Sequence, residues 1–345
     1  MKKYIILLPI LLLCFLMCAC SKQDLQTSQN IIAQDTDIIA AFNEKSNAEN
    51  QIWVGTFALV WNDLLDTINN GKPITLISDM PKSAIELNKK EFLKDYISED
   101  SYYIKHGILT EELFNTIKKE IKEKFSETSD ILDSIGPTYT FAFYAMLKKD
   151  FKFENPFDKL PEGTFGSNPN KVKYFGINEK SEGILRKNVR KISYKNEDNF
   201  IIKLLTKGQD EIILYRTDED KTLDKYWSDI MSYDKDYPIG SEDKLKVPNL
   251  DFFYKKGFSE FSGKKIKETG WVIDQAIETV DFKMDETGVK LKSEAIIVMK
   301  NTAFMREEIN NYYLDDSFVI FLVERGKTQP YFGARIKDVS ILNNR

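Results

Sequence analysis

The sequence predicts an α+β fold, with helices in its N-terminal third and large, mostly antiparallel β-sheets in its C-terminal two-thirds. Three observations carry this. Apolar residues recur at helical spacing before residue 126. From Thr138 onward, short runs rich in Ile, Val, Phe and Tyr are separated by turn residues. The two textures occupy separate stretches and do not alternate, which argues against a chain of βαβ units.

Taken in order, Ile31 to Phe42 has enough apolar content for a first helix. Gln51 to Ile68 predicts a stronger one: Trp53, Phe57, Val60, Trp61, Leu64, Leu65 and Ile68 fall near i, i+3, i+4 spacing, and Asn69-Asn70-Gly71 stops it. Glu111 to Phe125 predicts another, with Thr110 as N-cap and Leu113, Phe114, Ile117, Ile121 and Phe125 as its buried stripe. Strands are expected at Tyr139–Leu147, Val189–Tyr194, Asn199–Leu205, Glu211–Tyr215, Lys244–Tyr254, Ile277–Met284, Phe318–Glu324 and Tyr331–Val339. Helical turns at Leu223–Met231 and Phe258–Phe261 interrupt them.

The first twenty residues read as a secretory signal: Lys2 and Lys3, then an apolar run from Tyr4 to Met17, then small residues. The run is shorter than the roughly 20 apolar residues a comfortable membrane span needs. Cys18-Ala19-Cys20 resembles the lipobox of bacterial lipoproteins, which implies cleavage after Ala19 and diacylglyceryl modification of Cys20. Residues 1–19 are then a signal peptide, 20–47 the lipidated cysteine and a flexible tether, and 48–345 one domain. The expected location is outside the cytoplasm, on the cell membrane or an outer membrane, with the bilayer as partner through Cys20. Two acyl chains suffice for stable anchoring.

All three cysteines lie at or before Cys20, so the body is expected to hold no disulfide, thiolate nucleophile or cysteine metal site. At 42% hydrophobic and 30% charged residues the body suits a packed domain. The formal charge of −5 becomes −7 when Lys2 and Lys3 leave, which disfavours nucleic acid as a partner. The lone histidine, His106, precedes a glycine in an expected loop and has no second histidine at ligand spacing. HExxH, GxSxG, GxGxxG and P-loop patterns are absent. Glu111-Glu112, Glu307-Glu308 and Asp315-Asp316 read as helix-start or surface charge, although a carboxylate pair acting on glycosides stays open. The expectation is no enzyme, no cofactor and no metal.

Residues 139–158, YTFAFYAMLKKDFKFENPFD, are similar to the central-sheet strand of serpins and its Pro-Phe exit. Ser193-Tyr194-Lys195 resembles the family's Pro-Tyr-Lys, and Val247-Pro248-Asn249-Leu250 a later strand core. Asp285-Glu286-Thr287-Gly288 resembles the acidic-Gly hinge before the reactive loop. Residues 316–323 and Tyr331–Ile336 resemble the closing strands, with Ser317 where proline is usual. The order of these pieces agrees over residues 139–339. The helical half matches less well, since the family's Ser-Pro is replaced near Gly55-Thr56.

The resemblance implies a hinge at Gly288, Val289, Leu291 and Ser293, and a bait bond near Thr302-Ala303. Val289, Leu291, Ser293 and Ala295 share one face of an extended strand, and Lys290, Lys292 and Glu294 the other, so insertion into a sheet is permitted. The family's threonine and alanine run is missing, and Ile296–Met299 makes a poor exposed loop. Three readings follow: a surface-anchored serpin-like binding scaffold without inhibition; a serpin-type inhibitor guarding the envelope against an extracellular protease; and a solute-binding lipoprotein or enzyme. In the third, Trp53, Trp61, Trp227 and Trp271 are the candidate pocket aromatics.

Overall fold

The computed structural model describes residues 36–291 and 309–345, which lie in one compact unit. In chain order the elements are β1 (Thr36–Ile38), β2 (Asn50–Val54), α1 (Gly55–Asn69), α2 (Lys82–Leu87), β3 (Tyr102–Ile108), α3 (Glu111–Phe125), α4 (Asp130–Ile135), β4 (Phe141–Leu147), β5 (Lys149–Lys152), β6 (Asp158–Phe165), β7 (Asn168–Ile177), β8 (Val189–Asn196), β9 (Asn199–Leu205) and β10 (Asp210–Arg216). There follow α5 (Leu223–Met231), β11 (Tyr237–Pro238), β12 (Lys244–Pro248), β13 (Leu250–Gly257), β14 (Ile277–Asp285), β15 (Gly288–Leu291), β16 (Asn311–Tyr313), β17 (Phe318–Glu324), β18 (Phe332–Ile336) and α6 (Val339–Leu342). The fold is α+β, as the sequence predicts. No helix among the described residues is long and apolar enough to cross a membrane.

One sheet has eight strands in the order β1-β2-β18-β17-β10-β9-β8-β11. Its central strands β10 and β17 are buried at every position; their middles, Ile212–Tyr215 and Phe318–Val323, are apolar runs without alternation, and buried charged residues Asp210, Glu211, Arg216 and Glu324 stand at their ends. A second sheet runs β16-β12-β7-β6, a third β13-β14-β15-β5, and β3 pairs with β4 alone.

α1 lies under β4 and buries Phe57, Leu59, Trp61, Leu64 and Leu65. It ends at Asn70, which takes the left-handed conformation at φ 51°. α3 covers the opposite face of the β3–β4 pair. Ile117, Ile121 and Phe125 pack there with Tyr144 and Met146 in a small separate core. The Leu113 N–H donates to the Thr110 hydroxyl at 3.3 Å, and Glu111, Glu112, Lys122 and Lys124 complement the helix dipole. The side chains of β4 thus alternate between two cores: Tyr144 and Met146 toward α3, Phe143 and Ala145 toward α1.

Several expectations change. Within Ile31–Phe42 the described residues hold the short strand β1, parallel to β2, and no helix. Thr36, Ile38, Ile39 and Ala40 are buried, so the folded body begins before residue 48 and takes in the end of the expected tether. The helix expected from Gln51 starts at Gly55, because Gln51–Val54 pair with Phe332–Arg335. A residue with a Cβ at 55 would meet the Phe92 ring at 2.4 Å, so glycine allows this close turn from strand to helix. Phe258–Phe261 is a turn, and Lys244–Tyr254 divides at Asn249 into β12 and β13, which join different sheets.

A charge cluster is buried where the sheets meet. The Lys149 ammonium donates to Asp210 at 2.6 Å and Glu324 at 3.2 Å, and Tyr331 donates its hydroxyl to Asp210 at 2.8 Å. Lys149 also sits 4.5 Å from the Tyr331 ring centre. Burial draws the lysine downward and pushes Asp210 up to about 6.

Candidate functional site: a seam between two strand edges

β14 is paired on one edge from Ile277↔Gly257 to Met284↔Leu250. Among the described residues its other edge is paired only at Phe282–Asp285, by β15. β15 in turn pairs with β5, Gly288 opposite Lys152 and Leu291 opposite Lys149. Beyond Leu291 the partners on both sides run out among the described residues. Residues 277–281 of β14 and all of β4 line a shared gap. β4 is paired on its far edge with β3.

The gap opens a cavity of about 710 Å³ that reaches down to α1. Its walls are Phe143, Ala145 and Leu147 from β4, Phe57 and Trp61 from α1, and Phe261 and Ile273 from the segments flanking β14. Two facing strand edges with no further pairing among the described residues form a template for one more strand.

The expected hinge is placed at the closed end of this seam. Gly288, Val289 and Leu291 form β15, with Val289 and Leu291 buried and Lys290 exposed. Gly288 has φ +156°, and a Cβ there would lie 2.2 Å from the Phe151 carbonyl oxygen, so only glycine lets β15 lie against β5. Asp285–Gly288 closes a hairpin, and the Asp285 carboxylate accepts from the Thr287 N–H and hydroxyl at 2.9 and 2.6 Å. Ser293, Thr302, Ala303 and Cys20 lie outside the described residues.

His106 is not in a loop. It lies on β3, and its Nδ1 is 2.9 Å from Oδ2 of Asp63 on α1. Phe141 and Phe143 flank its ring, and Phe141 meets Trp271 at 5.0 Å between ring centres. This aromatic cluster stands at the open end of the seam. The indole N–H of Trp61 donates to Asn88 and that of Trp227 to the Thr328 carbonyl, while Trp53 is buried in the core. Trp61 and Trp271 also line the cavity.

The residue that sequence reasoning missed is Glu278. β14 sends Glu278, Val280, Phe282 and Met284 to the core and leaves Lys283 exposed. Glu278 is 4% exposed, and neither carboxyl oxygen has a hydrogen-bond partner among the described residues. Burial pushes its pKa up to about 8, against smaller opposing pulls from the Phe57 N–H in the first turn of α1 and from Lys256. Lys256, opposite Glu278 on β13, donates instead to Asp37 and to the Ile38 carbonyl, each at 2.7 Å. The available signal was the period of two in Glu278-x-Val280-x-Phe282-x-Met284, which puts an acid on an apolar face.

No family model matches the chain, and no curated protein matches it. Among solved structures it is similar to a thyroxine-binding globulin in complex with thyroxine, at 10% identity and TM-score 0.47, over 84% of this chain and 93% of that one. It is also similar to a highly specific serpin of the insect Tenebrio molitor, at 11% identity and TM-score 0.43, over 82% of this chain and 95% of that one. At these identities and TM-scores neither neighbour carries an argument about what this chain binds or does.

Proposed function

We propose that this chain is a lipid-anchored extracytoplasmic protein with a serpin-like domain that works by taking a strand into the seam between β4 and β14. The observation that supports this is the seam itself, with β15 already paired at one end and two strand edges continuing from it that have no further pairing among the described residues. The sequence after Leu291 suits the slot. By sequence alternation alone, Ser293, Ala295, Ile297 and Met299 form one set, all uncharged, and Lys292, Glu294, Ile296, Val298 and Lys300 form the other. The serpin-like order of motifs over residues 139–339 and the lipobox at Cys20 support the remaining parts of the reading. The acceptor serves a binding scaffold, and it serves equally a protease inhibitor whose cut loop enters the sheet.

Limited proteolysis of the full chain in detergent micelles, followed by thermal melting, tests it. Cleavage between residues 292 and 308 with a large rise in melting temperature supports insertion. A covalent, detergent-stable adduct with a protease selects the inhibitor. Cleavage there with no rise in melting temperature, and no adduct across a broad protease panel, refutes the strand-acceptor reading.

A further inference from the structure

The cavity has an apolar mouth that strand acceptance does not use. At the open end of the seam Ile108, Tyr139, Phe141, Trp271 and Val272 are all exposed, and all of them line the cavity. They form one patch. Ile108 stands opposite Phe141 in the β3–β4 register, Phe141 meets Trp271, and the Tyr139 N–H donates to the Leu109 carbonyl at 3.1 Å. Tyr139 has φ 56°, a left-handed backbone that a bulky residue seldom adopts, and it is 63% exposed. Contiguous exposed apolar patches on a globular protein mark sites of interaction.

The charge of the lining narrows the ligand. Among the described residues the cavity meets Asp130, Asp274, Glu278 and Asp281, and no lysine, arginine or histidine. Asp281 is paired with Arg345 at 2.7 Å, and the carboxyl oxygens of Glu278 are buried away from the cavity. An anionic head group would therefore lie beside acids, with no lining cation to attract it. Uncharged polar groups stand at the rim instead: the exposed hydroxyls of Thr138 and Thr140, 2.8 Å apart, and the amide of Gln275.

We propose that the cavity binds the acyl chain of an uncharged single-chain lipid, a monoacylglycerol in chemistry. The chain lies between β4 and β14 against Phe57 and Trp61 of α1, and the hydroxyl head stays at the rim of Thr138, Thr140 and Gln275. The volume of about 710 Å³ lies within the roughly 300–1,000 Å³ of small-molecule sites. Each methylene moved from water into apolar surroundings raises affinity about fourfold. The head keeps hydrogen bonds at the rim, so no polar group of the ligand is buried unpaired. The inference goes beyond strand acceptance and does not need it, because the lipid enters the uncut chain and its test has no cleavage step.

The test is tryptophan quenching of the full chain held in amphipol, with empty amphipol as the blank for probe uptake. Three probes carry a bromine at the end of the same dodecyl-length chain: a monoacylglycerol, an alkyl sulfate and an alkyltrimethylammonium. Bromine quenches an indole only at close contact. Trp61 is 3% exposed and lines the cavity, so its quenching reads a chain that has entered, whereas Trp271 reads contact at the rim. The expected result is quenching by the glyceride at a concentration at least about tenfold below that of either charged probe. Trp61→Phe should remove part of that quenching. Ala145→Phe adds a ring to the β4 wall and should weaken the glyceride at least about tenfold. No quenching by the glyceride up to its solubility limit, or equal or tighter binding of a charged probe, overturns the proposal. So does quenching that Trp61→Phe leaves unchanged, which means contact at the rim alone, or binding that Ala145→Phe leaves intact. The comparison of probes on the unmodified chain decides the matter even where a variant does not fold.

Discussion

Replacing Glu278 by glutamine should make the protein more stable, and by an amount that grows with pH. The side chain is fully enclosed, and its pKa rises from 4.5 to about 8 in the fold. An acid whose pKa is raised on folding binds its proton more tightly in the native state. The resulting stability is fully present below pH 4.5 and is lost as pH rises toward 8, where the native carboxyl must ionise without a partner. That rise, at about 1.4 kcal/mol for each tenfold change in proton affinity, sets an upper limit of about 5 kcal/mol on the loss. Glutamine keeps the shape and does not titrate. Glu278→Gln should therefore gain on the parent chain by about 3–5 kcal/mol between pH 4.5 and 9. The groups facing Glu278 are Lys256 from β13 and the Phe57 N–H from α1, and the variant keeps both. Urea unfolding of parent and variant at pH 5, 7 and 8.5 measures the difference. A difference that stays flat within about 1 kcal/mol across that range would refute the assignment of an uncompensated buried acid.

The remaining predictions are local. Lys149→Met removes the cation between the buried carboxylates of Asp210 and Glu324, so chemical denaturation should show a loss of about 3–5 kcal/mol at pH 7, with part of it recovered as pH falls. Gly288→Ala drives a Cβ into the Phe151 carbonyl and should unpair β15 from β5 at a cost of roughly 1–3 kcal/mol, seen as faster hydrogen exchange at Val289 and Leu291; unchanged protection there would count against the pairing. Thr110→Ala should cost about 1 kcal/mol by removing the N-cap of α3, and restoring serine should recover most of it.

Much of the fold was written locally. Glu111–Phe125 carries its cap, its charge order and its period of 3.6 residues, so the helix follows from its own residues. Leu223–Met231, Asn199–Leu205 and Phe318–Glu324 were legible for the same reason: length, period and composition agree on one structure. Where local signals conflict, pairing decides. Gln51-Ile52-Trp53-Val54 continues the helical spacing of Trp53 and Phe57, yet it becomes a strand because β18, some 280 residues away in the chain, supplies its hydrogen bonds.

The site divides along the same line. The alternation of Val289, Lys290 and Leu291 was visible in sequence, since strand geometry fixes which side chains share a face. The seam was not. It exists because β15 covers only part of the edge of β14 and β4 offers its edge from about 130 residues earlier, a matter of register between distant segments. The pairing of His106 with Asp63 and the isolation of Glu278 are likewise products of which elements stack upon which. The sequence by itself determined the period of each element and the face each side chain takes. Only the tertiary structure decided which faces and edges meet, because burial and unpaired backbone are properties of neighbours brought together from far along the chain.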